Sequence, residues 1–289
     1  MKTLVIIDGN ALIHRAYHAI PPFKTEQGKL VNAVYGFTSI LFRIIQELNP
    51  EYLVTTFDLP GPTFRNLEYK EYKAKRAKQS QELYDQFPLI KEIVKSIDIP
   101  IYEKKGFEAD DIIGTIVEKL KDHEINKIII TGDLDTLQLV NDLTKIHTFK
   151  KGINDVAIYN IEAIEKRYGL TPEQIIDFKG LKGDPSDNIP GVQGIGEKIA
   201  LQLVKQFGSL ENIYQNINGG DIKPRLQSRL LEYKEDAFFS KYLSTIKKDV
   251  SIDFKLKECE FNKLNKIKII KLLEELGFNS LIKRLDMIK

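Results

Sequence analysis

Leu4-Val5-Ile6-Ile7-Asp8 is an apolar run of four residues closed by an acid, and the pattern recurs along the chain. Leu53-Val54-Thr55-Thr56-Phe57 runs into Asp58, and Ile128-Ile129-Ile130-Thr131-Gly132 into Asp133. Short apolar runs without polar alternation suit strands covered on both faces, as in parallel sheets. Strands are predicted at Leu4–Ile7, Tyr52–Phe57, Ile99–Tyr102 and Lys127–Thr131. Between them, apolar residues at three- and four-residue spacing predict helices at Asn32–Leu48, Gln81–Ile97 and Ala109–Lys121. The alternation predicts an α/β fold with a mostly parallel central sheet flanked by helices. Lys145–Phe149 and Val156–Tyr159, on either side of residues 150–155, predict a closing hairpin.

From about Ile161 the pattern is helical only. Segments at Ile161–Tyr168, Pro172–Leu181, Glu197–Phe207, Leu210–Ile217, Pro224–Ile246 and Lys266–Leu276 are joined by turns rich in Gly, Pro, Asn and Asp. Thr171-Pro172 and Ser209-Leu210 read as capped helix starts. The expected organisation is an α/β domain over 1–165, followed by an all-helical domain over 166–289.

With 43 Lys and Arg against 41 Asp and Glu, net charge excludes a uniformly basic or acidic protein, so distribution matters more than balance. No apolar run approaches the ~20 residues of a membrane helix, and the opening run reads as a buried strand rather than a signal peptide. Cys259 is the single cysteine, which excludes an intramolecular disulfide or a Cys-rich zinc site and fits a reducing compartment.

Nine acids fall in five clusters where strands end or helices begin: Asp8; Asp58; Glu108, Asp110 and Asp111; Asp133 and Asp135; Asp184 and Asp187. An Asp after a strand is commonly just a helix cap or turn former. Several clusters on the ligand-binding rim of an α/β sheet argue for more, because massed carboxylates repel unless cations neutralise them. Two ions of the Mg²⁺ kind, ~3.5–4 Å apart, would relieve that repulsion and activate water against a phosphodiester. Asp133-Leu134-Asp135-Thr136 imitates the Asp-x-Asp of dehalogenase-type phosphatases. There the first Asp directly follows the first strand; here Gly132 intervenes, the motif lies mid-domain, and the other acids would have no role.

Phe64 to Lys78 interleaves Arg65, Lys70, Lys73, Lys75, Arg76 and Lys78 with Tyr69 and Tyr72, pairing phosphate-binding cations with stacking rings. A solvated charged segment is the plainer alternative. In Pro190-Gly191-Val192-Gln193-Gly194-Ile195-Gly196-Glu197-Lys198, Gly191 and Gly196 have Walker-A spacing. Glu197-Lys198 replaces Lys-Ser/Thr and no strand precedes, so a P-loop is excluded. What remains is a glycine hairpin at a helix N-terminus, suited to phosphate, although a tight turn between helices also wants glycine.

Taken in order, several motifs carry a family likeness: Asp8-Gly9-Asn10 with Arg15-Ala16-Tyr17-His18-Ala19, Ala33-Val34-Tyr35-Gly36-Phe37, Phe57-Asp58, Thr63-Phe64-Arg65 and Tyr72-Lys73-Ala74-Lys75-Arg76. Glu108-Ala109-Asp110-Asp111, Gly132-Asp133-Leu134-Asp135 and Gly183-Asp184-Pro185-Ser186-Asp187-Asn188-Ile189-Pro190-Gly191 complete it. Nearly end to end, the chain resembles the flap endonuclease (5′-3′ exonuclease) family, as in the 5′ nuclease domain of bacterial DNA polymerase I. The resemblance implies a PIN-like domain, a helical arch over about 64–97 and a helix–hairpin–helix element with its glycine hairpin at 190–200.

It also implies cleavage of 5′ ends and 5′ flaps of branched or nicked DNA, RNA primers included, in replication and repair. Two Mg²⁺ or Mn²⁺ ions are implied, with K⁺ at the hairpin. Asp8, Asp58, Glu108 and Asp110 would hold the tighter metal, with Asp111 nearby; Asp133, Asp135, Asp184 and Asp187 would serve the second. Arg65, Tyr72, Lys73 and Arg76 match positions that contact the scissile phosphate or the strand, and Tyr72 is the expected stacking partner. Arg15, Tyr17, Lys75, Gly191, Gly194, Gly196 and Lys198 are the expected DNA contacts. A monomer in a bacterial-type cytoplasm, with a DNA polymerase in cis or in trans, completes the expectation. After Arg76 the chain runs Ala77-Lys78-Gln79-Ser80 where many relatives have prolines, which leaves the preference for flaps over blunt or nicked ends open. A non-catalytic clamp for branched DNA and a phosphatase are the competing readings.

Overall fold

The computed structural model describes residues 1–77, 79–149, 155–261, 264, 266–285 and 288. Lys78 of the basic segment and residues 150–154 of the expected hairpin turn lie outside the described residues. The strands are β1 (Lys2–Asp8), β2 (Tyr52–Thr56), β3 (Ile101–Tyr102), β4 (Ile125–Ile130), β5 (Thr144–Phe149) and β6 (Val156–Tyr159). They form one sheet in the order β3-β2-β1-β4-β5-β6, parallel throughout except that β6 pairs antiparallel to β5. Registers such as Asp8 opposite Thr56 and Ile7 opposite Ile130 bring the carboxyl ends of the central strands level.

Successive side chains of a strand face opposite ways. Leu4 and Ile6 therefore enter one core with Val54 and Ile129, and Val5 and Ile7 another with Leu53 and Ile130. The first core includes helix Ala109–Lys119 and runs on without a break into Ile175, Phe178, Leu203, Leu210 and Leu230 of the helical half. The second holds helices Gly9–Ala19, Asn32–Leu48 and Phe87–Ser96.

Two further helices, Lys266–Glu275 and Asn279–Leu285, also lie in this second core, through Ile269, Leu273, Phe278, Leu281 and Leu285. Phe278 meets the edge of Tyr35 at 5.2 Å between ring centroids, and Arg284 donates to Ser39 Oγ at 2.6 Å. The expected helical unit 166–289 is thus divided in its packing. Its last helices return to the α/β half, because that half needs its second face covered.

Local chemistry accounts for other departures. Helix Gly9–Ala19, which the strand-and-helix pattern did not predict, starts directly from β1 with Asp8 as its cap. The expected helix Gln81–Ile97 divides into Gln81–Tyr84 and Phe87–Ser96, with Pro88 in the first turn of the second. Gln86, between the two, accepts from the N–H groups of Ala33 and Val34 at 2.8 and 3.3 Å, capping helix Asn32–Leu48. The expected helix Pro224–Ile246 breaks at Tyr233 into Pro224–Glu232 and Lys234–Ser244.

The two halves meet closely at Gly114, where a Cβ would lie 2.5 Å from Ile246 Cγ2 and 3.0 Å from the Lys247 carbonyl. Gly114→Ala should therefore lower stability by about 1–3 kcal/mol through overpacking, read as a reduced urea midpoint at unchanged m-value.

Candidate active site

The chain steps outward from β1 to β3, then crosses to the far side of β1 for β4, so the topological switch point lies between β1 and β4. Asp8 stands there as the last residue of β1. Its Oδ1 accepts from Ala11 N at 3.0 Å and its Oδ2 from Thr131 Oγ1, just past β4, at 2.7 Å. Asp58 follows β2; its N–H donates to Asn10 Oδ1 at 3.0 Å, and its carboxylate accepts from Ala109 N at 2.6 Å. Glu108 and Asp111 form a capping box on helix Ala109–Lys119. Asp133 caps the 3₁₀ turn Leu134–Leu139 through Asp135 N at 2.9 Å. Several of these acids are thus caps and members of the acidic rim at once.

The nine acids divide by what neutralises them. Asp111, fully buried, takes a two-pronged bond from Arg65 at 2.8 and 2.9 Å, and also accepts from the N–H groups of Glu108 and Lys247 at 3.1 and 2.9 Å. Glu108 accepts from Lys73 Nζ at 2.6 Å and Tyr72 Oη at 3.0 Å. Asp187 pairs with Arg76 and lies 3.9 Å from Lys73 Nζ. The Lys179 ammonium joins Asp135 to Asp184, at 2.8 Å from the latter. Among the described residues, Asp8, Asp58, Asp110 and Asp133 form no ion pair.

Those four acids, with Glu108, Lys73, Arg76, Asn10 and His14, line a cavity of about 160 Å³. Asp110 Oδ1 is covered and has no hydrogen-bond partner. Burial, then the neighbouring Asp133 and Asp8, holds the Asp110 carboxyl well above the usual carboxylate range. Burial likewise pushes Asp8 up to about 7 against its hydrogen bonds from Ala11 and Thr131, and raises Asp58. Asp135 rises to about 7, chiefly by burial and then by Asp133. Asp184 is also desolvated, yet the Lys179 ammonium outweighs this and takes it down to about 2. An all-oxygen donor set with an orphaned buried carboxylate oxygen fits a hard divalent cation. Among the described residues no three acids already close round one position, so the acids ring a cavity rather than form a cage. Mg²⁺ keeps several waters and does not need one.

The basic segment differs from its expectation. Among the described residues between 64 and 84, only Phe64–Glu68 and Gln81–Tyr84 are helical, and Phe87–Ser96 lies in the core. Arg65, 3% exposed, spends its guanidinium on Asp111, Glu108 and the carbonyls of Leu243 and Thr245. In this structure it is an internal tie, with its donors turned to protein acceptors. Tyr72 is 4% exposed, packs with Ile189 and Leu243, and donates to Glu108 and Asp187. No open ring face is left for a base. Asp111 has its lone pairs committed to Arg65 and to the N–H groups of Glu108 and Lys247, which sets it apart from the other acids of the expected ligand set. Lys73 and Arg76 do stand at the cavity, and Lys75 is exposed.

Arg15 lines a neighbouring cavity of about 520 Å³ with His14, His18, Asp133 and Ser186, while Tyr17 Oη sits 3.0 Å from Ser80 Oγ. In the glycine hairpin, Gly191 (φ +64°) lies against the backbone of Lys182 and Gly183, and its N–H donates to Ser240 Oγ at 2.9 Å. Gly194, Gly196 and Lys198 are exposed at the start of helix Glu197–Phe207. Sequence reasoning missed Asn10, His14, Thr131 and Lys179. Asn10 and His14, four apart on one helix, were the detectable pair.

Residues 3–169 match the family model described as the 5′-3′ exonuclease N-terminal resolvase-like domain, and residues 170–267 match the 5′-3′ exonuclease C-terminal SAM fold. The chain is 42% identical over 284 residues to DNA polymerase I of Bacillus subtilis (strain 168), covering 98% of this chain and 32% of that protein. It is 41% identical to DNA polymerase I of Bacillus caldotenax, covering 99% and 32%. The chain therefore spans about a third of the length of the curated relatives it matches. Among solved structures, T5 5′-exonuclease with bound zinc aligns at TM-score 0.68 and 22% identity, covering 99% and 98% of the two chains. The catalytic core of Rad2 with DNA substrate aligns at TM-score 0.65 and 18% identity, covering 99% and 91%. Both share the fold.

Two outcomes follow from the charge arrangement. Arg65→Ala, which strands a buried carboxylate, should cost about 3–5 kcal/mol in urea unfolding, whereas Arg76→Ala, at a half-exposed pair, should cost about 1 kcal/mol or less. Acids whose folded values lie above their usual 3.8, such as Asp8 and Asp135 at about 7, bind more protons folded than unfolded. In EDTA, stability should therefore fall as pH rises from about 4 through 7, and saturating Mg²⁺ should flatten that slope.

Proposed function

The chain belongs to the 5′-3′ exonuclease family, and on that premise we propose that it is a metal-dependent nuclease acting on 5′ ends and 5′ flaps of branched or nicked DNA, including RNA-primer ends. One observation carries the reading: among the described residues, Asp8, Asp58, Asp110 and Asp133 stand without a cation partner round a cavity whose rim bears Lys73 and Arg76. The structural neighbours support it, since T5 D15 was crystallised with DNA and metal ions and the Rad2 core with DNA substrate. The polymerase relatives support a role beside a DNA polymerase, in cis or in trans.

Divalent cations, Mg²⁺ or Mn²⁺, held by Asp8, Asp58, Glu108, Asp110 and Asp133 and at a second place by Asp135, Asp184 and Asp187, would neutralise charge on the phosphate and lower the pKa of the attacking water. Lys73 and Arg76 hold phosphate oxygens and stabilise the charge that develops on them. To do so they leave Glu108 and Asp187, so substrate and acids compete for the same cations. Asn10 and Thr131 fix Asp58 and Asp8 at the strand ends. Arg65 and Asp111 hold the base of the arch against the helix that presents Asp110. The exposed hairpin N-terminus and Lys198 receive the backbone of the duplex, with K⁺ as a bridging charge. Arg15, Tyr17 and Lys75 guide the strand, and products carry a 5′-phosphate and a 3′-hydroxyl. The enzyme works as a monomer in a bacterial-type cytoplasm; no helix among the described residues is long and apolar enough to cross a membrane.

A 5′-labelled flap, with products sized in Mg²⁺ and in EDTA, tests this. Cleavage should require Mg²⁺, vanish in Asp110→Ala, and fall about 10²–10³-fold in Lys73→Ala or Arg76→Ala. Binding without cleavage in either Mg²⁺ or Mn²⁺ would point to a clamp, and phosphate release from a small ester without DNA cleavage to a phosphatase.

A further inference from the structure

Lys179 belongs to helix Ile175–Lys182, in the helical half, yet its ammonium lies inside the acidic rim. It bonds Asp135, carried on the turn after β4, and Asp184 Oδ2 at 2.8 Å. Its side chain is 13% exposed, and those of Asp135 and Asp184 are 18% and 19% exposed, so a diffusing ion reaches both carboxylates only by taking its place. Its backbone is fixed, since its carbonyl accepts from Gly183 N at 2.8 Å where the helix ends. Asp184 is held in turn by Ser186, whose N–H and hydroxyl donate to Oδ1 at 2.9 and 2.6 Å.

We infer that Lys179 is a resident cation of the second group of acids, which a divalent ion must displace to bind there. The inference rests on the reading of Asp135 and Asp184 as metal-facing residues. In the metal-free protein the ammonium holds the two carboxylates together and suppresses their repulsion. Ion uptake at this place is therefore an exchange: the ion gains two carboxylates, while the protein loses two charge-assisted hydrogen bonds and must find a new place for the ammonium. In the first group only Glu108 has a cation partner among the described residues, Lys73 with Arg65, while Asp8, Asp58, Asp110 and Asp133 have none, so the two places should differ in affinity. Lys179 is thus a positioning residue that sets the affinity of the second ion. It differs from Lys73 and Arg76, which also pair with acids but come from the segment at the cavity mouth and answer to the substrate phosphate.

Calorimetric titration of the full chain with Mn²⁺, free of DNA, measures this directly. The wild type should take up two ions of unequal affinity. Lys179→Met, which keeps the apolar stem and removes the charge, should tighten the weaker ion roughly tenfold, while Lys179→Arg stays near wild type. Two ions with the weaker one unmoved or loosened in Lys179→Met would overturn the inference alone. A single ion in the wild type would overturn the two-place reading beneath it as well. Should Lys179→Met fail to fold, acetylation of the wild type read by mass spectrometry serves instead. Lys179 should be protected in EDTA and become reactive at saturating Mn²⁺; protection that is the same in both would also overturn the inference.

Discussion

Repulsion between like charges at the carboxyl edge of one sheet is the constraint on which the rest of this structure depends. Parallel strands deliver acids to the same level because their register does. Left alone, such a cluster would protonate or come apart. The fold answers with cations from other elements: Arg65 to Asp111, Lys73 to Glu108, Arg76 to Asp187 and Lys179 to Asp135 and Asp184. Each of these ties also joins two elements. Neutralising the rim and assembling the molecule are in that sense the same act.

On the proposed function, this division has a use. Asp8, Asp58, Asp110 and Asp133 keep their charge problem unsolved among the described residues, which is the ground for proposing a hard cation there. Arg65 and Asp111 are the opposite case. With their bonding capacity used inside the protein they set distances, and what they contribute to chemistry passes through the helix that bears Asp110.

Much of this was legible in the sequence. Leu4 to Asp8 and its two repeats define the sheet and its acidic rim, because a buried strand admits few polar residues until it ends. The chemistry of individual side chains was harder to read. Arg65 and Tyr72 sit among exposed-looking cations and aromatics, yet a distant segment, Leu243 to Lys247, closes over them. Sequence spacing contains no trace of that contact. Lys179 likewise reads as one more lysine on an amphipathic helix until helix Ile175–Lys182 is docked. Helix Phe87–Ser96 shows a third kind of loss: Pro88 could have announced the break at Gln86, but the use of Gln86 to cap a helix that begins at Asn32 could not be foreseen.

The return of helices Lys266–Glu275 and Asn279–Leu285 to the α/β half has a consequence for the order of events on a ribosome. Val5 and Ile7 of β1 share their core with Ile269, Leu273 and Phe278, contacts separated by most of the sequence. Contacts of such long separation form late, since closing the intervening loop costs entropy before any burial rewards it. The face of the sheet that carries helix Asn32–Leu48 therefore remains incompletely covered until residues 266–285 have emerged. During that interval its apolar surface is a natural target for a chaperone, while the opposite face is being closed by the helical half.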